Sequence, residues 1–382
     1  MKKEIYLDYA ATAPLRNEVL KSMMPFFQKE YGNPSSVHKL GQKAKKAVDD
    51  ARETVAKLIG AKPTEIIFTG SGTESVNLGI KGAAHAYKDK GKHIITQKTE
   101  HEAVLETCRS LEKQGFEVTY LDVDDSGLVD VDKLERAIRP DTILISIMYA
   151  NNEIGTVQPI KEISRVCKEK EVLFHTDACQ AGGLLDINVQ NLGIDLMTLN
   201  GSKIYGPKGV GILYFRNGIK LEPLTQGGGQ EFGLRSGTEN VAGIAGFATA
   251  LRIVQQEKAK EVKRLTALRD KFIEGLLSIK DVHLNGHHEK RLPNNVNVSI
   301  EGIDADSLVL QLSDSGVCAS TGSACTTGKP EPSHVLKAIG LSDSDARGSI
   351  RFTLGKSSTQ KDIDYVLKVL PKIVEKLRKS RQ

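Results

Sequence analysis

Apolar positions recur along this chain at two spacings. Three- and four-residue spacing predicts helices over 17–27, 36–58, 103–114, 131–138 and 160–170, with another running from the Gly70-Ser71-Gly72-Thr73 turn to Ala86. Short apolar runs between them predict strands over 65–69, 93–96, 117–121, 142–148, 172–175 and 196–199. Strands that alternate with helices imply a mostly parallel sheet covered on both faces. After residue 250 the texture changes. A long, strongly charged helical stretch covers 252–277; strands follow at 295–300 and 349–353, with helices near 304–312 and 333–339 and a closing helix over 361–379. The expected fold class is α/β: a large domain over 15–255 with a mostly parallel sheet flanked by helices, and a smaller α+β domain over 256–382 on which residues 1–14 pack.

Composition narrows the function classes. The 382 residues are 39% hydrophobic and 26% charged, ordinary values for a globular chain with a real core. Aromatics are only 5% and Trp is absent, which argues against a stacking platform for single-stranded nucleic acid. The net charge of +5 is spread along the chain, so direct nucleic-acid contact is not expected. No apolar run reaches the roughly 18 residues that span a bilayer. The basic tip Met1-Lys2-Lys3 soon meets Asp8, Pro14 and Arg16 instead of a signal core, and a cytoplasmic protein is expected. Cys108, Cys167, Cys179, Cys318 and Cys325 do not make a disulfide framework in a chain this long. None forms a C-x-x-C pair, so neither a structural zinc site nor any other metal is expected.

Several motifs fail. Gly70-Ser71-Gly72 begins like a dinucleotide fingerprint, but Ser75 stands where the third glycine belongs. Gly355-Lys356-Ser357 lacks the earlier glycine of a phosphate loop, that position being Ile350. His101-Glu102 is followed by Leu105 where a zinc-protease helix needs its second histidine, and His287 and His288 read as solvated loop residues.

Four features remain. The first predicted strand ends at Gly70-Ser71-Gly72-Thr73 and feeds a helix, whose unpaired N–H groups favour an anion while the small residues let a phosphate approach. The run from Val172 ends in Asp177, at the carboxyl edge where α/β sheets bind ligands, with Gln180 three residues on. Lys203 follows another strand in Asn200-Gly201-Ser202-Lys203; a lysine held among glycines and Pro207 can be desolvated, which suits Schiff-base chemistry. Cys325 lies among the small polar residues of 320–328, a composition that predicts an exposed loop and a candidate nucleophile, whereas Cys108 and Cys167 on amphipathic helices read as packed. Each feature alone also fits a turn, a cap, a surface cation or a plain loop. Together, a phosphate cradle, a strand-end acid and a strand-end lysine describe a site for pyridoxal 5'-phosphate, with the acid keeping the pyridine nitrogen protonated.

The same segments resemble the cysteine desulfurases of the NifS/IscS-like group, class V aminotransferases with the pyridoxal-phosphate-dependent transferase fold type I. The likeness runs nearly end to end. It includes Tyr6-Leu7-Asp8-Tyr9-Ala10-Ala11-Thr12, Gly32-Asn33-Pro34-Ser35-Ser36, Thr73-Glu74-Ser75, Thr99-Glu100-His101 and Asn151-Asn152-Glu153-Ile154-Gly155. Asp177-Ala178-Cys179-Gln180, Lys203-Ile204-Tyr205-Gly206-Pro207-Lys208-Gly209, Arg235-Ser236-Gly237-Thr238, Gly322-Ser323-Ala324-Cys325 and Ser349-Ile350-Arg351-Phe352 complete it.

The resemblance implies a role for each residue. Lys203 would bond the cofactor aldehyde and move protons, Asp177 would pair with the pyridine nitrogen, Gln180 would bond the phenolic oxygen, and His101 would stack on the ring as an acid/base. Gly72, Thr73, Ser202 and Thr238 of the partner subunit would hold the phosphate, which makes a homodimer the expected state. Asn33, Asn152 and Arg351 would fix the carboxylate of L-cysteine, with Asn152 also against the cofactor. Cys325 would take the substrate sulfur as a persulfide, leave alanine, and hand the sulfur to an acceptor protein, a scaffold or carrier for iron–sulfur assembly, thio-cofactor synthesis or tRNA thiolation. One position departs from the family: a histidine usually precedes the lysine, and here it is Ser202. Selenocysteine lyase and amino-group transfer are alternatives on the same scaffold, and a non-catalytic sulfur-relay subunit is the alternative from another class.

Overall fold

The structure is a computed structural model that describes residues 4–321 and 332–379. Its strands are β1 (Ile5–Tyr6), β2 (Ile66–Thr69), β3 (His93–Gln97), β4 (Glu117–Leu121), β5 (Thr142–Ser146) and β6 (Leu173–Asp177). They continue as β7 (Leu196–Asn200), β8 (Gly211–Phe215), β9 (Val282–Leu284), β10 (Asn295–Ile300), β11 (Val317–Cys318) and β12 (Ser349–Thr353).

Seven strands form the main sheet in the order β2-β8-β7-β6-β5-β3-β4. Neighbours from β4 to β7 pair in parallel, and β8 runs antiparallel to both β7 and β2. Six strands therefore end at one edge, and only β8 begins there. Neighbouring residues on a strand serve opposite layers, as a period of two requires. Phe68, Ile95, Ile145 and Met197 pack in a core with the helix Lys39–Ile59 and the start of Val241–Leu277. Ile67, Ile94, Leu144 and Leu196 pack in another with Gly72–Tyr87 and Glu102–Glu112. Each such fully buried side chain contributes about 1.5–3 kcal/mol of transfer free energy.

A further core gathers around the antiparallel sheet β12-β10-β9. Phe272 and Phe352 meet edge to face there at 5.1 Å, with Leu308 and Leu370 around them. The long helix Val241–Leu277 serves both sides: Phe247 and Leu251 belong to the first core, Phe272 and Leu276 to this one. Leu7 is buried in it as well, next to β1, which pairs in parallel with β11.

Several local expectations change, three of them near the main sheet. The helix expected over 17–27 is Asn17–Met23 followed by Pro25–Gln28, because Pro25 has no N–H and starts a new helix. The long helix begins at Val241, since Ile244, Phe247, Ala248 and Leu251 are all buried and its first third lacks the polar face that marks a surface helix. Strand β8, absent from the pattern reading, follows directly on the glycine- and proline-rich run 206–209. Cys108 and Cys167 are buried on their helices. No described helix is long and apolar enough to cross a membrane.

Candidate active site

The strand ends of the main sheet converge on a cleft of about 270 Å³. Beyond β2, Ser71 caps the helix Gly72–Tyr87, its hydroxyl accepting the Glu74 N–H at 3.1 Å. The N–H groups of Gly72 and Thr73 belong to the first turn and have no acceptor within the helix. Position 72 is tight: a Cβ there would stand 2.9 Å from Cys179 Sγ and 3.3 Å from Asn200 Cβ, so a larger residue needs Cys179 to give way.

Asp177 closes β6, 8% exposed, with Oδ1 accepting the Cys179 N–H at 2.9 Å. At the end of β7 the Asn200 side chain accepts the Ser202 N–H at 3.1 Å, which folds Gly201–Lys203 into a single 3-10 turn. That turn brings Lys203 back over the sheet edge, where its Nζ donates to the Ala11 carbonyl. Past β3, His101 caps the helix Glu102–Glu112 by accepting the Ala103 N–H on Nδ1 at 3.0 Å. A neutral ring bonded in this way carries its proton on Nε2. Burial holds this imidazole below its ordinary pKa, so the neutral form is favoured.

Arg351 comes from the other core. It stands in the middle of β12, 3% exposed, and donates from Nη1 to the Asn152 carbonyl at 3.0 Å and from Nη2 to Asp8 Oδ1 at 2.9 Å.

Gly72, Thr73, His101, Asn152, Asp177, Gln180, Lys203 and Arg351 thus line one cleft. Ser202 is buried beside it but is not part of the lining, and its hydroxyl donates to Asn200 Oδ1 at 3.3 Å. Asn33 is exposed in the loop before Lys39–Ile59, its Oδ1 accepting the Ser35 N–H, and Thr238 is exposed after Ser236. Cys325 lies outside the described residues.

Other groups at this edge carried no separate signal in the sequence. Cys179 lines the cleft, and burial, then the neighbouring Asp177, pushes its thiol far up, so it stays neutral. Glu100 is fully buried; its Oε1 accepts the Met148 N–H at 2.6 Å and the Gln97 amide at 2.9 Å, and burial pushes its carboxyl well above the usual range. His175, two residues before Asp177 on the same strand face, sits between Ser146 Oγ at 2.8 Å and Thr198 Oγ1 at 3.1 Å, and burial lowers it to about 4. Asp8 and Asn200 are contact residues that only a three-dimensional arrangement reveals.

Residues 5–366 match the family described as aminotransferase class-V. Over 379 residues the chain is 55% identical to the cysteine desulfurase IscS of Dictyoglomus turgidum, an alignment that covers 99% of this chain and 96% of that one. The chain belongs to the class-V aminotransferases, in their cysteine desulfurase branch. Among solved structures, a NifS-like protein superimposes with a TM-score of 0.93 at 40% identity, covering 98% of this chain and 100% of that one. A structure described as SspA in complex with cysteine gives 0.81 at 41% identity, with 92% and 98% covered. The parallel sheet between helical layers, with a smaller antiparallel sheet beside it, is the fold type I of these desulfurases.

Proposed function

We propose that this desulfurase binds pyridoxal 5'-phosphate in the cleft, converts L-cysteine to L-alanine, and takes the sulfur onto Cys325. One observation carries the reading: an amine, a strand-end carboxylate, a helix N-terminus and a buried arginine share a single cleft. The residues fit the cofactor. The side-chain-free position at Gly72 and the first-turn N–H groups offer an anion cradle, Asp177 would hold a protonated ring nitrogen, and the Lys203 amine would bond an aldehyde. When bound, the cofactor supplies an electron sink for charge that develops at the substrate Cα.

The chain's own groups do the rest. Arg351 pairs with the substrate carboxylate, Lys203 removes and returns the Cα proton, and neutral His101 offers its Nε2–H as an acid. The Cys325 thiolate forms an S–S bond to the substrate sulfur as the substrate C–S bond breaks. The electron pair passes to the substrate carbon, which takes a proton and becomes the methyl group of alanine. The persulfide then passes to a thiol of an acceptor protein. A second copy of the chain supplies Thr238 to the phosphate, and the exposed apolar side chains Leu20, Met24, Phe27 and Tyr31 support such an association.

The test is incubation of the cofactor-loaded protein with L-cysteine, with alanine quantified and the persulfide mapped by mass spectrometry. Alanine is expected in step with a persulfide on Cys325. Cys325→Ala should keep the visible absorbance of the bound cofactor and lose the persulfide. Absence of alanine from the loaded wild type, or undiminished sulfide release by Cys325→Ala, overturns the reading.

A further inference from the structure

We infer that Asp8 is a positioning residue for substrate recognition: it fixes the Arg351 guanidinium so that its Nε edge is the one offered to a carboxylate. The inference rests on the cleft being an amino-acid site.

The argument starts from the donors of Arg351. Its backbone is pinned on both sides, by pairing of β12 with β10 and by an antiparallel bridge to Ser320. Of the side-chain nitrogens, Nη1 is engaged by the Asn152 carbonyl and Nη2 by Asp8 Oδ1. Nε is buried and has no partner among the described residues, although Arg351 lines the cleft. A buried donor without an acceptor is costly, and a carboxylate entering the cleft would relieve that cost. A planar fork can receive a carboxylate through Nε as well as through its terminal nitrogens, and here both terminal nitrogens already have protein partners.

Asp8 is itself held firmly. Its residue pairs in parallel with Thr353, two positions beyond Arg351, and its carbonyl accepts from the Tyr6 hydroxyl at 3.0 Å and the Ala11 N–H at 3.1 Å. Burial, with Asp8 close by, raises the Tyr6 hydroxyl to about 12, so it remains a donor. The turn that follows carries the Ala10 carbonyl to Gln180 Nε2 at 3.1 Å and the Ala11 carbonyl to Lys203. One short segment therefore indexes the carboxylate-binding arginine against the lysine.

The experiment compares two ligands of the cofactor-loaded protein, L-alanine, which has the carboxylate, and cysteamine, which lacks it. Binding is measured by spectral titration, alongside kcat and KM for L-cysteine. Asp8→Ala should weaken L-alanine and raise the KM for L-cysteine about tenfold each, while cysteamine affinity moves less than about twofold. Asp8→Asn, which keeps the acceptor, should fall between Asp8→Ala and the wild type. In an Arg351→Ala background, Asp8→Ala should add nothing further, since the two act as one unit. Equal weakening of both ligands, or full additivity with Arg351→Ala, would show a merely structural residue and overturns the inference. If Asp8→Ala does not fold, Asp8→Glu serves: its longer side chain displaces the guanidinium, and unchanged discrimination between the ligands overturns the inference equally. A wild type that binds neither L-cysteine nor L-alanine overturns the functional reading as well, which separates the two failures.

Discussion

On the sheet side of the cleft, Asp177 and Asn200 are the last residues of β6 and β7, and Lys203 and His101 follow strand ends by a few positions. Their orientation is settled by local capping bonds such as Ser202 N–H to Asn200 and Ala103 N–H to His101. On the opposite side, Arg351 enters from mid-strand, and its partners Asn152 and Asp8 are 199 and 343 residues away. The difference divides labour. On the proposed function, groups fixed by the sheet would hold the reacting atoms, and a group anchored in the second core would read the substrate. Chemistry and recognition should therefore separate under mutation.

The largest expected effect tests that division directly. Lys203→Ala should lower kcat for alanine formation by about 10³-fold or more, since it removes the proton carrier. Arg351→Ala should act mainly on KM, raising it by about 100-fold, the loss of a bidentate charged pair, with kcat changed less than about tenfold. Steady-state kinetics on both variants decide the matter. Parallel changes in kcat and KM for the two would erase the distinction.

Acid sensitivity should also fall on the sheet side. Burial lowers the pKa of His175 to about 4 and holds His93 and His101 down in the same direction. A histidine that stays neutral when folded takes up protons more readily when unfolded, so stability rises with pH through this window. The contribution of His175 is complete above its ordinary value near 6.5 and is lost as pH falls toward 4, about 3 kcal/mol by the shift. Denaturant titrations at pH 7 and pH 4.5 should show a smaller acid loss for His175→Asn than for the wild type. Parallel losses would place the acid-labile group elsewhere.

The same contrast explains what could be read from the sequence. Asp177 and Lys203 were legible because a strand end is a local pattern, an apolar run followed by a polar residue and glycines. Thr73 was legible for a similar reason, a small-residue turn ahead of a helix. Arg351 in Ser349-Ile350-Arg351-Phe352 looks like a surface cation in a strand, and only family resemblance singled it out; its 3% exposure is a tertiary fact. Asp8 lay within a quoted motif, yet no spacing rule joins it to a residue 343 positions away. Strand β8 was hidden because a sheet position is settled by neighbours, here β7 and β2, rather than by its own five residues.

The smallest effect sharpens the comparison from within the sheet side. Asn200 makes no covalent contribution, but its side chain accepts from both Ser202 N–H and Ser202 Oγ and so forms the turn that aims Lys203. Asn200→Ala should cost about 1 kcal/mol of stability, the usual loss for a cap. If the sheet side governs chemistry through such local bonds, the freed turn should lower kcat severalfold and leave the KM for L-cysteine nearly constant, because Arg351 and Asp8 are anchored on the other core. A variant that instead raised KM at constant kcat would show that the turn positions substrate, and the boundary between the two halves would have to be drawn on the far side of Lys203.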